Sequence, residues 1–157
     1  MANLTSRRQI FSADTTVIDT VQQYPFLSRA FDTDGNEYIY LTGVGSTIVG
    51  SWVTYDELGI TTLLVANAVG PVAVAMAIIN STSKFGWYQI FGTAEACVIT
   101  TTAADAKCGF ETTAGYVGDG MASGDVLTGA ITRESSASTT GVYTVQLSYP
   151  FATDASA

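Results

Sequence analysis

The sequence predicts a compact all-β fold, an antiparallel β-barrel or β-sandwich of about 8–10 short strands with an extended N-terminal arm. Short segments rich in β-branched and aromatic residues recur along most of the chain, which is typical of strands. Gly, Pro, Asn and Asp separate these segments at intervals of about 8–12 residues, as in sandwiches and barrels. Hydrophobic residues make up 47% of the 157 residues, enough to bury a core without disulfide bonds.

Residues 1–30 differ from the rest and are predicted to form the arm. They contain few alternating segments, and Pro25 interrupts regular strand pairing. One short helix is predicted over residues 14–23, with apolar side chains recurring on one face. Two interpretations stay open: the segment packs on the core of its own domain, or it lies across a neighbouring subunit.

Residues 31–152 are predicted to form one all-β domain, followed by a loose tail at 153–157. The predicted strands are 37–41, 46–54, 61–66, 72–79, 85–91, 93–101, 125–132 and 141–149, with a further short strand at 112–117. The alternation of side chains is the same in a barrel and in a sandwich, so the sequence leaves both open.

The segment 85–92 carries four aromatic rings and no charge. Strand alternation places Phe85, Trp87, Gln89 and Phe91 on one face. A polar Gln89 among large rings predicts either a buried hydrogen-bond partner or a face that is not fully sealed. Both faces are otherwise apolar, which favours a core on one side and another subunit on the other.

Charge is scarce and unevenly distributed. Fourteen acidic and six basic residues give a net charge of −8, and charged residues are only 13% of the chain. The first 31 residues have three basic against two acidic residues, or +1, and the remaining 126 have three against twelve, or −9. An acidic body argues against direct nucleic-acid binding, because phosphate contacts need Lys and Arg. So little charge indicates a surface that is partly covered by partners.

No targeting or membrane segment is apparent in the sequence. There is no run of about 18 apolar residues, so no membrane association is expected. The basic N-terminus is not followed by a hydrophobic region, so no secretory signal is expected. These features predict synthesis in a reducing cytoplasm.

Catalytic signatures are missing from the sequence, and no enzymatic activity and no cofactor are expected. The chain has no histidine, which removes Ser-His-Asp and Cys-His mechanisms. The acidic residues Asp56, Glu57 and Glu95 lie near aromatic residues, but the first two sit in a predicted turn and do not form a convincing hydrolytic pair.

A calcium loop and a thiol-based metal site are the other candidates. Asp32, Asp34 and Asn36 have the spacing of a calcium loop, but Glu37 stands where glycine is required and Gly43 where a bidentate Glu is required. The segment therefore predicts a tight turn and no metal. Two cysteines, Cys97 and Cys108, without histidine predict buried free thiols, with a disulfide as the alternative.

Five blocks of the sequence resemble small head proteins of tailed bacteriophages that decorate or cement the capsid. The blocks are GNEYIYL (35–41), WVTYDE (52–57), LVANAVG (64–70), GWYQIFG (86–92) and YPF (149–151). The likeness covers about residues 26–151, and GWYQIFG is its sharpest part.

The resemblance implies a β-domain on the outer face of an icosahedral shell, often as a trimer, that binds the major capsid protein and bridges capsomers. It places the protein in the virion after synthesis in the host cytoplasm. Aromatic residues left over from the core and the basic and apolar residues of the arm are the expected contacts. The interface candidates are Arg7, Arg8, Ile10, Phe11, Tyr24, Phe26, Tyr38, Tyr40, Trp52, Tyr55 and Tyr88.

A carbohydrate-binding or host-adhesion module of a phage particle is the alternative function. Such modules are also all-β and rich in Trp and Tyr. This interpretation predicts a groove lined by exposed aromatic rings, whereas a cement protein needs broad contact with other subunits.

Overall fold

Every regular element in the described part of the computed structural model is a β-strand. The structure describes residues 10–11, 13–120, 125–136 and 138–154. The strands are β1 (Ile10–Phe11), β2 (Arg29–Phe31), β3 (Glu37–Thr42), β4 (Trp52–Tyr55), β5 (Thr61–Leu63), β6 (Gly70–Ala75), β7 (Phe85–Val98), β8 (Lys107–Phe110), β9 (Val117–Gly118), β10 (Asp125–Thr132) and β11 (Gly141–Asp154). The predicted all-β fold of the compact barrel or sandwich type is confirmed.

The strands form one large mixed sheet that closes partly into a ring. Within the described residues, β1–β2 and β7–β9 are parallel pairs and the other pairs are antiparallel. The ring runs through β7, β9, β8, β10 and β11 and returns to β7. The first half of β7 also pairs with β3 on one side and with β6 on the other. A single strand therefore belongs to both parts of the sheet.

A bend at Gly92 allows β7 to serve both parts. Gly92 has φ +94°, and a Cβ atom there would lie 2.0 Å from Asn36 Oδ1, so only glycine fits. Gln89 is 1% exposed, and its Nε2 donates to the carbonyls of Phe91 (3.1 Å) and Thr93 (2.9 Å). The expected buried partner of Gln89 is thus the bent backbone on either side of Gly92.

The core consists of three apolar clusters on the faces of these strands. One combines residues of the ring strands with Trp52 of β4, whose indole N–H donates to the Cys97 carbonyl at 3.0 Å. A second is built on β3, β4, β6 and β7, with Tyr88 at its centre. In the third, Tyr24 and Phe26 pack on rings from β3 and β7. Both faces of the first half of β7 are therefore covered by the chain itself.

Several predicted strand boundaries are wrong for local reasons. The strand predicted at 46–54 starts only at Trp52, because positive φ angles at Ser46 and Gly50 fold residues 46–51 into turns. The strands predicted at 85–91 and 93–101 are one strand, since Gly92 bends the chain without ending the ladder. In place of the strand predicted at 112–117, the short β9 starts at Val117.

The tail predicted to be loose begins two residues too early. Thr153 and Asp154 belong to β11 and pair with Val126 and Asp125 of β10. Residues 155–157 lie outside the described part of the chain.

The predicted helix at 14–23 is absent from the described residues of that segment. Instead, the Asp14 carboxylate accepts hydrogen bonds from the backbone and hydroxyl of Thr16, which competes with helix formation. Asp19 and Phe85 then exchange two backbone hydrogen bonds of 2.9 Å. Asp19, Tyr24 and Phe26 thus contact strands of their own chain, while the placement of the arm across a neighbouring subunit stays a prediction.

Candidate functional site

Most of the predicted aromatic contacts lie in the core. Tyr40, Trp52 and Tyr88 are fully buried, and Tyr38 is 7% exposed. The hydroxyl of Tyr88 donates to the Thr42 carbonyl at 3.0 Å. The prediction that these four side chains serve as surface anchors is wrong, because the chain covers both faces of their strands with its own residues.

The other predicted contacts divide into half-buried residues and residues outside the description. Tyr24 packs 5.2 Å from the rings of Tyr40 and Trp87, and Phe26 packs 5.8 Å from Phe85. Tyr55 is half-buried, and burial raises its pKa. Arg7 and Arg8 lie outside the described residues, as do the side chains of Ile10 and Phe11, whose backbone forms β1.

The exposed aromatic surface lies elsewhere, on β7 and β11. Phe91, Tyr149 and Phe151 are 38%, 55% and 42% exposed, and we call these three residues the aromatic patch. The rings of Phe91 and Tyr149 lie 5.2 Å apart, a distance typical of favourable aromatic pairs. Tyr149 and Phe151 are two positions apart on β11, and Pro150 between them is buried. The alternation of side chains in the YPF block (149–151) is the sequence signal that could have indicated this surface.

A bulge in β11 presents the patch. Leu147 pairs with Ala130 and Phe151 with Thr128, so three residues of β11 stand opposite Gly129 alone. Tyr149 has φ +50° and Gly129 has φ +72°. A left-handed backbone at a bulky residue is strained by about 1–3 kcal/mol, and such strain concentrates at functional sites.

Hydrogen bonds hold the Tyr149 ring in place. Its hydroxyl donates to Glu37 Oε2 at 2.6 Å, and Glu37 Oε1 forms a 2.8 Å ion pair with Arg29. The hydrogen bond to Glu37 is the main cause that raises the pKa of Tyr149. Polar contacts therefore link Tyr149 of β11 to β3 and β2, and the ring contact with Phe91 links it to β7.

The candidate calcium loop is a turn, as the sequence predicted. Asp32 Oδ1 accepts the backbone N–H groups of Asp34 and Asn36, and Oδ2 accepts Asn36 Nδ2 and the Tyr38 hydroxyl. Burial opposes ionisation of Asp32, but these hydrogen bonds outweigh it and lower its pKa below 3.8. The carboxylate is thus engaged by the turn itself.

Two carboxylates near β8 and β9 form the other acidic site. Glu111 Oε1 is buried and has no hydrogen-bond partner among the described residues. Burial, and next the charge of Asp119, raise the pKa of Glu111, which favours its protonated form. Within the described residues, no three His, Cys, Asp or Glu side chains are placed to hold a metal ion.

The two cysteines are buried free thiols in the described structure, as predicted. Burial raises the pKa of Cys97 to about 11 and that of Cys108 to about 12. Both are therefore protonated and weakly nucleophilic near neutral pH.

The chain was compared with protein-family models, with curated proteins and with solved structures. None of them matches. Among the described residues, no helix is long and apolar enough to cross a membrane.

Proposed function

We propose that the chain is a non-catalytic structural protein that binds other protein subunits through the aromatic patch, as a decoration or cement protein of a tailed-phage capsid. The observation that carries this proposal is the patch itself. It contains three exposed aromatic side chains, one of which, Tyr149, lies in a strained bulge and is held by a hydrogen bond to Glu37. The phage context rests on the resemblance of the five sequence blocks.

The patch has the chemistry of a protein contact. Aromatic side chains are enriched at the buried centres of protein interfaces. The ring contact with Phe91 and the hydrogen bond to Glu37 already restrict Tyr149. Less side-chain entropy is therefore lost when a partner covers the ring. Exposed aliphatic side chains at Leu58 and Val69, in the loops after β4 and β5, offer further apolar contact area.

The proposed partner is the major capsid protein, with a trimer as the favoured assembly of the chain. A cement protein stabilises a shell because it binds assembled subunits better than free ones. An acidic outer surface also keeps particles apart in solution. In this proposal the protein resides on the capsid surface of the virion after synthesis in the host cytoplasm.

The carbohydrate-binding alternative has less structural support. It predicted a groove lined by exposed aromatic rings. Both tryptophans are buried, with Trp52 0% and Trp87 2% exposed. No observation therefore favours this function over protein binding, and we do not propose it.

Particles that lack the protein provide the test. Purified protein is added to such particles, and occupancy and heat resistance are measured by electron cryomicroscopy and thermal release of DNA. We expect F91S/Y149S to reduce occupancy at least about tenfold, since loss of two anchors costs more than about 1.4 kcal/mol.

The matched control is Val142→Ser, which removes another exposed apolar side chain at the opposite end of the same strand. It should keep wild-type occupancy. Circular dichroism and unfolding curves would verify that all variants fold. Equal occupancy of F91S/Y149S and wild type would exclude the patch, and no binding of wild type to any capsid would exclude the function.

A further inference from the structure

A groove of about 420 Å³ runs along β10 at the bulge, where Gly129 and Ser148 contribute to its lining. It is lined by residues of β8, β10 and β11. Its surface is mainly apolar, with Val126, Ala130 and Ile131 among the lining residues. Its volume is within the range of about 300–1,000 Å³ that is usual for ligand sites.

An interruption of strand pairing creates the groove. Gly109 of β8 pairs with Val126 of β10, and Lys107 pairs with Ile131. Two steps along β8 therefore correspond to five steps along β10, so β10 arches away between these points. The bulge opposite Gly129 interrupts the other side of β10 in the same region. The space for a ligand is therefore created by the path of the backbone and not by small side chains.

The charges at the groove differ from those of the rest of the body. Lys107 and Arg133 both line it. Residues 32–157 have a net charge of −9 and contain only three basic residues, so two of the three lie here. Such a concentration of scarce cations complements an anionic group.

The two cations remain accessible to an anion. Lys107 is exposed and has no ion-pair partner among the described residues. Arg133 pairs with Asp105 at 2.6 Å, and its guanidinium also donates to Gln146. The side chains of Arg133 and Asp105 are 43% and 74% exposed. Because exposed ion pairs contribute only about 0–1 kcal/mol, an incoming carboxylate can replace Asp105 at little cost.

We propose that this groove binds an extended segment of a partner protein in which one acidic side chain is flanked by apolar side chains. The carboxylate contacts Lys107 and Arg133, and the apolar side chains lie against Ile131 and Val126. An extended segment suits a site where a β-ladder is interrupted. The inference deepens the proposed function. It rests on that function in one respect, namely that the partner is a protein.

The test is a titration of the isolated, isotope-labelled protein with short peptides, followed by NMR. The probe is Ac-Leu-Glu-Leu-NH2, and the comparison peptides carry Gln or Lys at the central position. We expect the Glu peptide to shift the amide signals of residues 126–131 and to bind at least about fivefold more tightly than the Gln peptide. Its affinity should fall as salt is raised.

Two charge reversals provide the matched variants. Lys107→Glu should weaken binding of the Glu peptide at least about fivefold. Lys84→Glu changes the net charge equally but alters a residue in the turn before β7, and it should bind like wild type. If Lys107→Glu fails to fold, Lys107→Gln with the same peptides gives the same comparison.

Four results would overturn the inference. Three are equal binding of the Glu and Gln peptides, signal shifts outside the groove, and equal losses in the Lys107 and Lys84 variants. The fourth is tighter binding of hexanoate, a carboxylate with a short apolar chain, than of the peptide, which would indicate a small-molecule site. Because no capsid takes part, this titration and the capsid-binding assay can fail independently.

Discussion

At the scale of single residues, the backbone at Gly129 permits the bulge that carries Tyr149 of the aromatic patch. A Cβ atom at Gly129 would lie 2.5 Å from the Ser148 carbonyl oxygen, and its φ is +72°. Only glycine tolerates both conditions. The bulge, and with it the exposure of Tyr149, therefore depends on a residue that carries no side chain.

We expect Gly129→Ala to lower the free energy of unfolding by about 2–3 kcal/mol, because it adds a steric clash to an unfavourable φ. Urea unfolding followed by tryptophan fluorescence measures this. Gly35→Ala, at φ +85° with no atom within 4 Å of the added Cβ, should lower the free energy of unfolding by only about 1 kcal/mol, because it has the unfavourable φ without the clash. Gly45→Ala has neither problem and should be nearly neutral. Similar values for Gly129→Ala and Gly45→Ala would show that the bulge is absent.

Asp32 makes an acid-sensitive contribution to stability. Its pKa is lowered in the folded protein, so its ionised form stabilises the fold above the unfolded-state pKa near 3.8. That contribution is lost as the pH falls from about 4 through the folded-state pKa.

We therefore expect the stability difference between wild type and Asp32→Asn to be largest near pH 6 and to shrink below pH 4. Urea unfolding at a series of pH values measures it. Glu57→Gln makes the same charge change at an exposed position and serves as the control. A difference that stays constant between pH 6 and pH 3 would contradict the role of the carboxylate.

At the scale of elements, β7 is the strand on which the rest depends. It pairs with β3, β6, β9 and β11. Its bend combines Gly92, the Asn36 side chain and the buried Gln89 amide. The Asn36 Oδ1 atom also accepts the Thr93 N–H at 3.1 Å. Side chains from two separate parts of the chain thus form hydrogen bonds with the backbone at the bend.

Replacing Gln89 by Leu keeps the volume but removes the donor to the carbonyls of Phe91 and Thr93. We expect a loss of about 1–3 kcal/mol in unfolding free energy, since buried acceptors lose their partner. Gln22→Leu, which removes an exposed amide donor to the Tyr24 carbonyl, should change stability by less than about 0.5 kcal/mol. An equal effect of the two changes would argue against the bend depending on Gln89.

At the scale of the whole molecule, the described part of the N-terminal segment contacts the domain at Asp19 and Tyr24. Tyr24 packs between Tyr40 and Trp87, and Asp19 is bridged to Phe85. The proposed capsid contacts of the arm and these packing contacts would therefore belong to one stretch of chain. Truncated variants must therefore distinguish a loss of core packing from a loss of capsid contacts.

Removal of residues 1–25 deletes the Tyr24 ring from the third core cluster. We expect the truncated chain to unfold at lower urea, with a loss of about 3 kcal/mol or more. Tyr24→Ala in the full chain should reproduce most of this loss. Removal of residues 1–9 retains all described residues, so we expect the core to keep its packing. Reduced capsid occupancy of this variant would therefore indicate that the arm binds the capsid. An unfolding midpoint unchanged by removal of residues 1–25 would contradict the packing.

The sequence predicts the class of fold better than it predicts the surface. Segments rich in β-branched and aromatic residues identify β3, β7, β10 and β11 as strands. Both faces of β3 and of the first half of β7 are buried, so side-chain alternation does not reveal in advance that Tyr40 and Tyr88 are core residues. Tyr149 is fixed by Glu37, 112 positions away, and no local pattern reports a contact of that separation.

The position of β11 in the sheet has a consequence for the order in which the chain folds during synthesis. Its partners β6, β7 and β10 all precede it in sequence. A ribosome therefore releases the partners first, with one edge of each still open to β11. Until β11 emerges, those edges can pair with other chains. Synthesis at high local concentration should for that reason favour strand-swapped dimers. Refolding by slow dilution from denaturant should instead yield monomers.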